Sequence, residues 1–116
     1  MNTLRDRTKA FAVRVIRVCG ALPKSNVARV IGNQLLRADT SVGAHCREAF
    51  RSRSNAEMIS KLEVALQELD ESRYWLELLI EADVIPAARL SPLIGEADEL
   101  TAILVASVKT IKRRRR

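Results

Sequence analysis

The stretch NVARVIGNQLLRADTSVGAHCREAFRS, residues 26–52, decides the fold. At 100° per residue, its Val27, Ile31, Leu35, Ala38, Val42, Cys46 and Ala49 fall within an arc of about 100° over more than six turns. A period of 3.6 sustained for that length belongs to an amphipathic helix and to no strand. Ser25 or Asn26 stands just ahead of it, where a side-chain oxygen accepts from the unpaired N–H groups of a first helical turn. The spacing therefore predicts a helix over 26–52.

Working outward, Leu4, Phe11, Val15, Val18 and Cys19 share one face of a helix over 3–19, which Gly20 and Pro23 end. Downstream, Ser54 and Glu57 fit a capping box, so the next helix starts near Asn55. That helix, over 55–81, has Met58, Ile59, Leu62, Ala65, Leu66, Leu69, Leu76 and Ile80 on its core face; Glu81-Ala82-Asp83 and Pro86 close it. A fourth helix, over 87–113, begins after Pro86 or at Ser91 as cap with Pro92 in the first turn, and carries Leu90, Leu93, Ile94, Ala97, Leu100, Leu104, Val108 and Ile111 on one side. Four amphipathic helices on short connections bury their stripes only against one another. The expected architecture is all-α: one domain over 1–116, an antiparallel up-down-up-down four-helix bundle.

Composition agrees. Of 116 residues 47% are apolar and only 3% aromatic, with three prolines and four glycines, too little punctuation for a strand-rich fold. No apolar run approaches the roughly 18 residues of a membrane helix, and MNTLRDRTKA is too charged for a secretory h-region, so no membrane association and a cytoplasmic address are expected. Cys19 and Cys46 have no metal-ligand or C-x-x-C spacing and fall on apolar faces, as reduced core residues do. There is no G-x-S-x-G elbow and no phosphate-cradling glycine loop, so no enzyme activity, cofactor or metal is expected.

Charge is unevenly spread. Residues 1–30 carry seven basic groups against one acidic, whereas residues 61–90 carry three against seven, within a net charge of +6. Arg29, Arg47 and Arg51, with Asn33 and Thr40 between them, lie opposite the core stripe of the second helix, and Arg113, Arg114, Arg115 and Arg116 form a terminal cluster. Either set is a solvated face or a phosphate-binding one; four consecutive arginines repel one another unless an anion neutralises them. Without aromatic stacking platforms, binding of RNA or DNA would be electrostatic and largely independent of sequence. Glu63, Gln67, Asp70, Tyr74 and Glu77 mark a polar side of the third helix, a solvated surface or a dock for a basic protein partner.

The middle helices carry apolar surface beyond one stripe. Gly32, Leu36, Gly43 and Phe50 line up about 100° from the core stripe of the second, and Val64, Trp75, Leu78 and Leu79 form a second side of the third. Two glycines within a helix imply close approach of another helix. These sides are either wide burial within one chain or a homo-oligomer interface. Gln34, Ser41, His45 and Glu48 form a polar row beside the core; with a single histidine in the chain, a hydrogen-bonded structural network is expected there rather than a metal site.

The run QLLRADTSVGAHCREAFRSRS (34–54), followed by KLEVALQELDESRYWLELL (61–79), resembles the bacterial four-helix-bundle proteins known as 23S rRNA intervening-sequence proteins. Its most specific pieces are Gln34-x-x-Arg37, Thr40-Ser41-Val42-Gly43-Ala44, Arg47-Glu48-Ala49 and Tyr74-Trp75-Leu76. The resemblance implies a bundle like that of diversity-generating retroelement accessory proteins, assembled as a ring-shaped homopentamer whose basic surface meets RNA or DNA. It implies no catalytic activity. His45 and Cys46 depart from the pattern, which has an Asn followed by an aromatic or aliphatic residue.

Overall fold

Three hydroxyl side chains start three of the four helices in the computed structural model, which describes residues 3–114. Thr3, Ser25 and Ser54 hold extended backbone and each accepts, at 3.1 Å, from the amide three residues on: Asp6, Ala28 and Glu57. The helices are α1, Leu4–Gly20; α2, Asn26–Phe50; α3, Asn55–Glu81; and α4, Ala87–Arg114. The second helix stops at Phe50, not at residue 52, because Ser54 must be extended to cap α3, leaving Arg51–Arg53 as the turn. Ser91 does not cap α4: its hydroxyl donates to the Ala87 carbonyl at 2.8 Å, and Pro92 lies inside the helix, one turn in.

The α3–α4 corner is built by Asp83, the one non-glycine residue at positive φ (56°) among those described. Aspartate tolerates this left-handed conformation better than most side chains. It lets Val84 N–H reach Leu79 O (2.9 Å) and Asp83 N–H reach Ile80 O (3.0 Å), the paired bonds of a Schellman ending, and drops Ile85 into the core.

Each helix packs on two neighbours around a ring, with α2 and α3 the most extensively paired and α1 seated on α2 and α4. Ion pairs such as Arg73–Asp98 and Lys112–Glu63 between α3 and α4 run in opposite order along the chain, so these neighbours are antiparallel. The expected four-helix bundle is present, about 50 Å long and 21–24 Å across. Phe11 and Val15 of α1, Leu35, Val42 and Cys46 of α2, Leu62, Leu69 and Leu76 of α3, and Leu90, Leu100 and Leu104 of α4 fill its centre. Cys19 and Cys46 are free thiols, the second fully buried and the first half-buried.

Three sequence expectations need correction. Val27, placed in the core stripe, is 58% exposed, and its neighbour Ala28 is buried in its stead. Leu79, assigned to a surface interface, is fully enclosed in its own chain's core. The glycine face of α2 is covered from within: a Cβ on Gly32 would stand 2.7 Å from Leu22 Cδ1, and one on Gly43 3.4 Å from Thr8 Oγ1. What comes close is α1 at Gly43 and the α1–α2 connection at Gly32, both from the same chain.

Candidate nucleic-acid interface

The bundle sorts its charges by helix pair. Residues 1–53, which supply α1 and α2, contain eleven Lys/Arg and three Asp/Glu; residues 54–116 contain nine and eleven. Within the α3–α4 half two cations are paired, Arg73 with Asp98 (2.7 Å) and Glu77, and Lys112 with Glu63 (3.7 Å), while Arg89, Lys109, Arg113 and Arg114 form no ion pair among the described residues. One tie crosses from α1 to α4, Arg7 clasping both oxygens of Glu96 at 2.7 and 3.2 Å, with Glu99 at 3.7 Å; these carboxylates hold its guanidinium above its ordinary pKa. Among the described residues Arg5, Lys9, Arg14, Arg17, Arg29, Arg37, Arg47 and Arg51 form no ion pair. A surface of unpaired cations raises the local concentration of polyanions.

Arg5, Lys9, Arg29 and Arg47 line the seam between α1 and α2, whereas Arg14 and Arg17 lie on another face of α1 and Arg37 on the α2–α3 side. At one end, Lys24 and Arg29 stand at the rim of a cleft of about 620 Å³ walled by Leu22, Pro23 and Leu36. At the other, Arg5, Lys9 and Arg47 flank a trough of about 270 Å³ floored by Ala12, Gly43 and Ala44. Neither depression has a carboxylate in its lining, whereas the groove on the α2–α3 side mixes Arg37 with Glu68 and Glu71. Of the sequence-singled arginines, Arg29 and Arg47 lie on the seam. Arg51 is exposed at the C-cap of α2; Arg113 and Arg114 are exposed at the end of α4, far along the chain from it; Arg115 and Arg116 lie outside the described residues.

The polar row of α2 is partly assembled. The Nδ1–H of His45 faces Glu68 Oε1 at 2.6 Å and Ser41 O at 3.0 Å; with two acceptors before it, Nδ1 carries the proton. Glu48 stands 3.7 Å from Nε2 and 3.8 Å from Lys61. The Ser41 hydroxyl donates to Arg37 O at 2.9 Å, so it serves its own helix, and Gln34 lines the adjacent groove without a hydrogen bond among those described. The His45–Glu68 bond ties α2 to α3. No cluster of three His, Cys, Asp or Glu side chains suited to a metal occurs among the described residues.

Of the other residues singled out on the middle helices, Phe50 is 51% exposed, Val64, Trp75 and Leu36 are half-buried, Gly32 is buried, and Gly43 rests on Thr8. Tyr74, 54% exposed, meets Trp75 edge to face at 5.0 Å.

One buried group escaped the sequence reading. Asp39 is 1% exposed on the side of α2 turned toward the core, and neither carboxylate oxygen has a hydrogen-bond partner in the structure. Desolvation pushes its pKa up to about 7. Nearby Cys19 is raised by its own burial and then by the charge of Asp39, and Cys46 is pushed up to about 11 by burial, so neither thiol is an activated nucleophile.

The fold and the site define an all-helical four-helix bundle with a basic seam between α1 and α2. The chain belongs to the 23S rRNA-intervening sequence protein family, whose model matches residues 2–106. It is similar, at 34% identity and a TM-score of 0.87, to a crystal structure of a protein with unknown function from the S23 ribosomal protein family of Bacteroides thetaiotaomicron, covering 92% of this chain and 99% of that one. No curated protein matches it. No described helix is long and apolar enough to cross a membrane.

Proposed function

We propose that this protein is a non-catalytic, homo-oligomeric nucleic-acid-binding bundle that grips RNA or DNA through phosphates, largely regardless of sequence. The observation that carries this reading is the partition of charge: unpaired cations gather on α1 and α2 while the acidic groups lie mainly on α3 and α4. Arg29 and Arg47 make contacts on the seam, Arg51 extends them, and Arg113 to Arg116 add a second basic cluster. Oligomerisation, pentameric by family resemblance, uses the exposed apolar side chains Val27, Val30, Phe50 and Tyr74 together with Val64 and Trp75. The family name, which refers to ribosomal RNA, supports a nucleic-acid partner.

The test is a titration with RNA and DNA at about 50 mM salt, repeated at rising salt. Binding that weakens linearly in log–log form supports the reading, because each neutralised phosphate releases counterions. Negligible affinity for both, or affinity indifferent to salt, contradicts it. A second reading, a scaffold or accessory subunit for an enzyme such as a polymerase, draws on exposed Tyr74, edge to face with half-buried Trp75, near acidic Asp70 and Glu77. A stoichiometric protein partner recovered without nucleic acid favours it.

A further inference from the structure

The two depressions of the α1–α2 seam differ in kind. The trough at Arg5, Lys9 and Arg47 is suited to phosphate alone: its floor is small side chains, and its two hydroxyls have spent their protons, Thr8 on Arg5 O (3.1 Å) and Thr40 on Leu36 O (2.7 Å). Only cations are left to hold a ligand there. The cleft at the α1–α2 corner adds apolar walls, Leu22, Pro23 and Leu36, and the amide of Asn33, which has no hydrogen bond among those described. Its volume, about 620 Å³, falls in the range of sites that enclose a small organic ligand. Arg29 at its rim is steadied by a 2.6 Å bond to Asn26. Apolar walls, the Asn33 amide and the cations Lys24 and Arg29 complement a nucleobase with its phosphate.

Cleft and trough share one seam, and Arg29 and Arg47 stand about 27 Å apart along α2 at 1.5 Å per residue. We propose that the α1–α2 seam binds an unpaired nucleic-acid strand, with one base seated in the Leu22/Leu36 cleft and the phosphates that follow it held by Lys9, Arg5 and Arg47. A duplex keeps its bases stacked inside and has none to offer the cleft; a single strand supplies base and backbone together. This rests on the nucleic-acid reading above and adds to it a preferred ligand and a place.

The experiment measures fluorescence anisotropy with a labelled single-stranded RNA of about 12 nucleotides, the same sequence as single-stranded DNA, and both as duplexes, at about 50 mM salt. Three proteins are compared: the unaltered chain, Asn33→Phe, which fills the cleft from an exposed position, and the double variant Lys9→Glu/Arg47→Glu, also at exposed positions; circular dichroism melting confirms that each is folded. The unaltered chain is expected to bind single strands at least about tenfold more tightly than duplexes. Asn33→Phe removes that preference and leaves salt-sensitive binding, while the double variant weakens both ligands and lowers the salt slope by about 2. Equal affinity for strand and duplex, or a preference untouched by Asn33→Phe, overturns the cleft assignment. Binding that survives the double variant but is lost on removing Arg113 to Arg116 overturns the seam and leaves the nucleic-acid function standing. No binding by the unaltered chain overturns both.

Discussion

The two halves of this bundle have the same fold and different chemistry. In α3 and α4, Arg73 and Lys112 are matched with carboxylates across the helix pair, and acidic groups outnumber basic ones over residues 54–116. In α1 and α2, seven basic side chains stand without an ion pair among the described residues, and the one fully buried acid, Asp39, has no partner either. The core draws on all four helices, whereas the unpaired cations of α1 and α2 stand beside the two clefts. The difference teaches that the seam is arranged for something other than the chain's own stability.

The largest expected effect tests the core where α3 and α4 contribute to it. Leu100→Ala or Leu69→Ala, each removing a fully buried side chain, lowers unfolding stability by about 3–5 kcal/mol in urea titration, while Val105→Ala at 37% exposure changes it by under about 1 kcal/mol. Equal losses would erase the distinction between core and surface in that half.

Asp39 tests the other half. Its pKa is near 7 when folded against an ordinary 3.8, so between those values the folded chain holds a proton that the unfolded chain has released. Stability therefore falls as pH rises from about 4 to about 7 and is level above. Asp39→Asn removes the ionisation and stabilises the protein by about 2–4 kcal/mol at pH 8, with little effect at pH 4. A destabilising substitution at pH 8 would mean that the carboxylate has a favourable partner.

Smaller effects sharpen the comparison. Ser54→Ala removes the cap of α3 and lowers stability by about 1 kcal/mol in thermal melts. Arg73→Ala, at a part-exposed pair, lowers it by up to about 1 kcal/mol at low salt and by less at high salt, whereas Arg14→Ala, without an ion pair among the described residues, stays within about 0.5 kcal/mol.

Much of this was legible in the chain. The caps at Ser25 and Ser54, the α2 stripe from Leu35 to Ala49 and the stop at Asp83 are local signals, written within one or two helical turns. What was not legible depends on which helix lies beside which. Asp39 reads as a polar interruption next to Ala38 until α1 and the core enclose it. Gly32 and Gly43 announced a close approach, yet only the folded chain shows that Leu22 and Thr8 make it. Leu79 looked like spare apolar surface because α3 is apolar on more than one side, and the Schellman turn that follows draws it inward. Arg5 and Lys9 carry no signal of their own in the sequence; their meaning comes from Arg47, thirty-eight or more residues away in sequence and across the same trough.

The most direct test of the central claim is to map where nucleic acid touches the bundle, by titrating a single-stranded RNA into isotopically labelled protein and following backbone amide shifts. The account predicts changes confined to α1, α2 and their connecting turn, with the largest near Lys9, Asn33 and Arg47, and quiet amides along the outer faces of α3 and α4. Shifts centred on α3, or on the end of α4 alone, would contradict it.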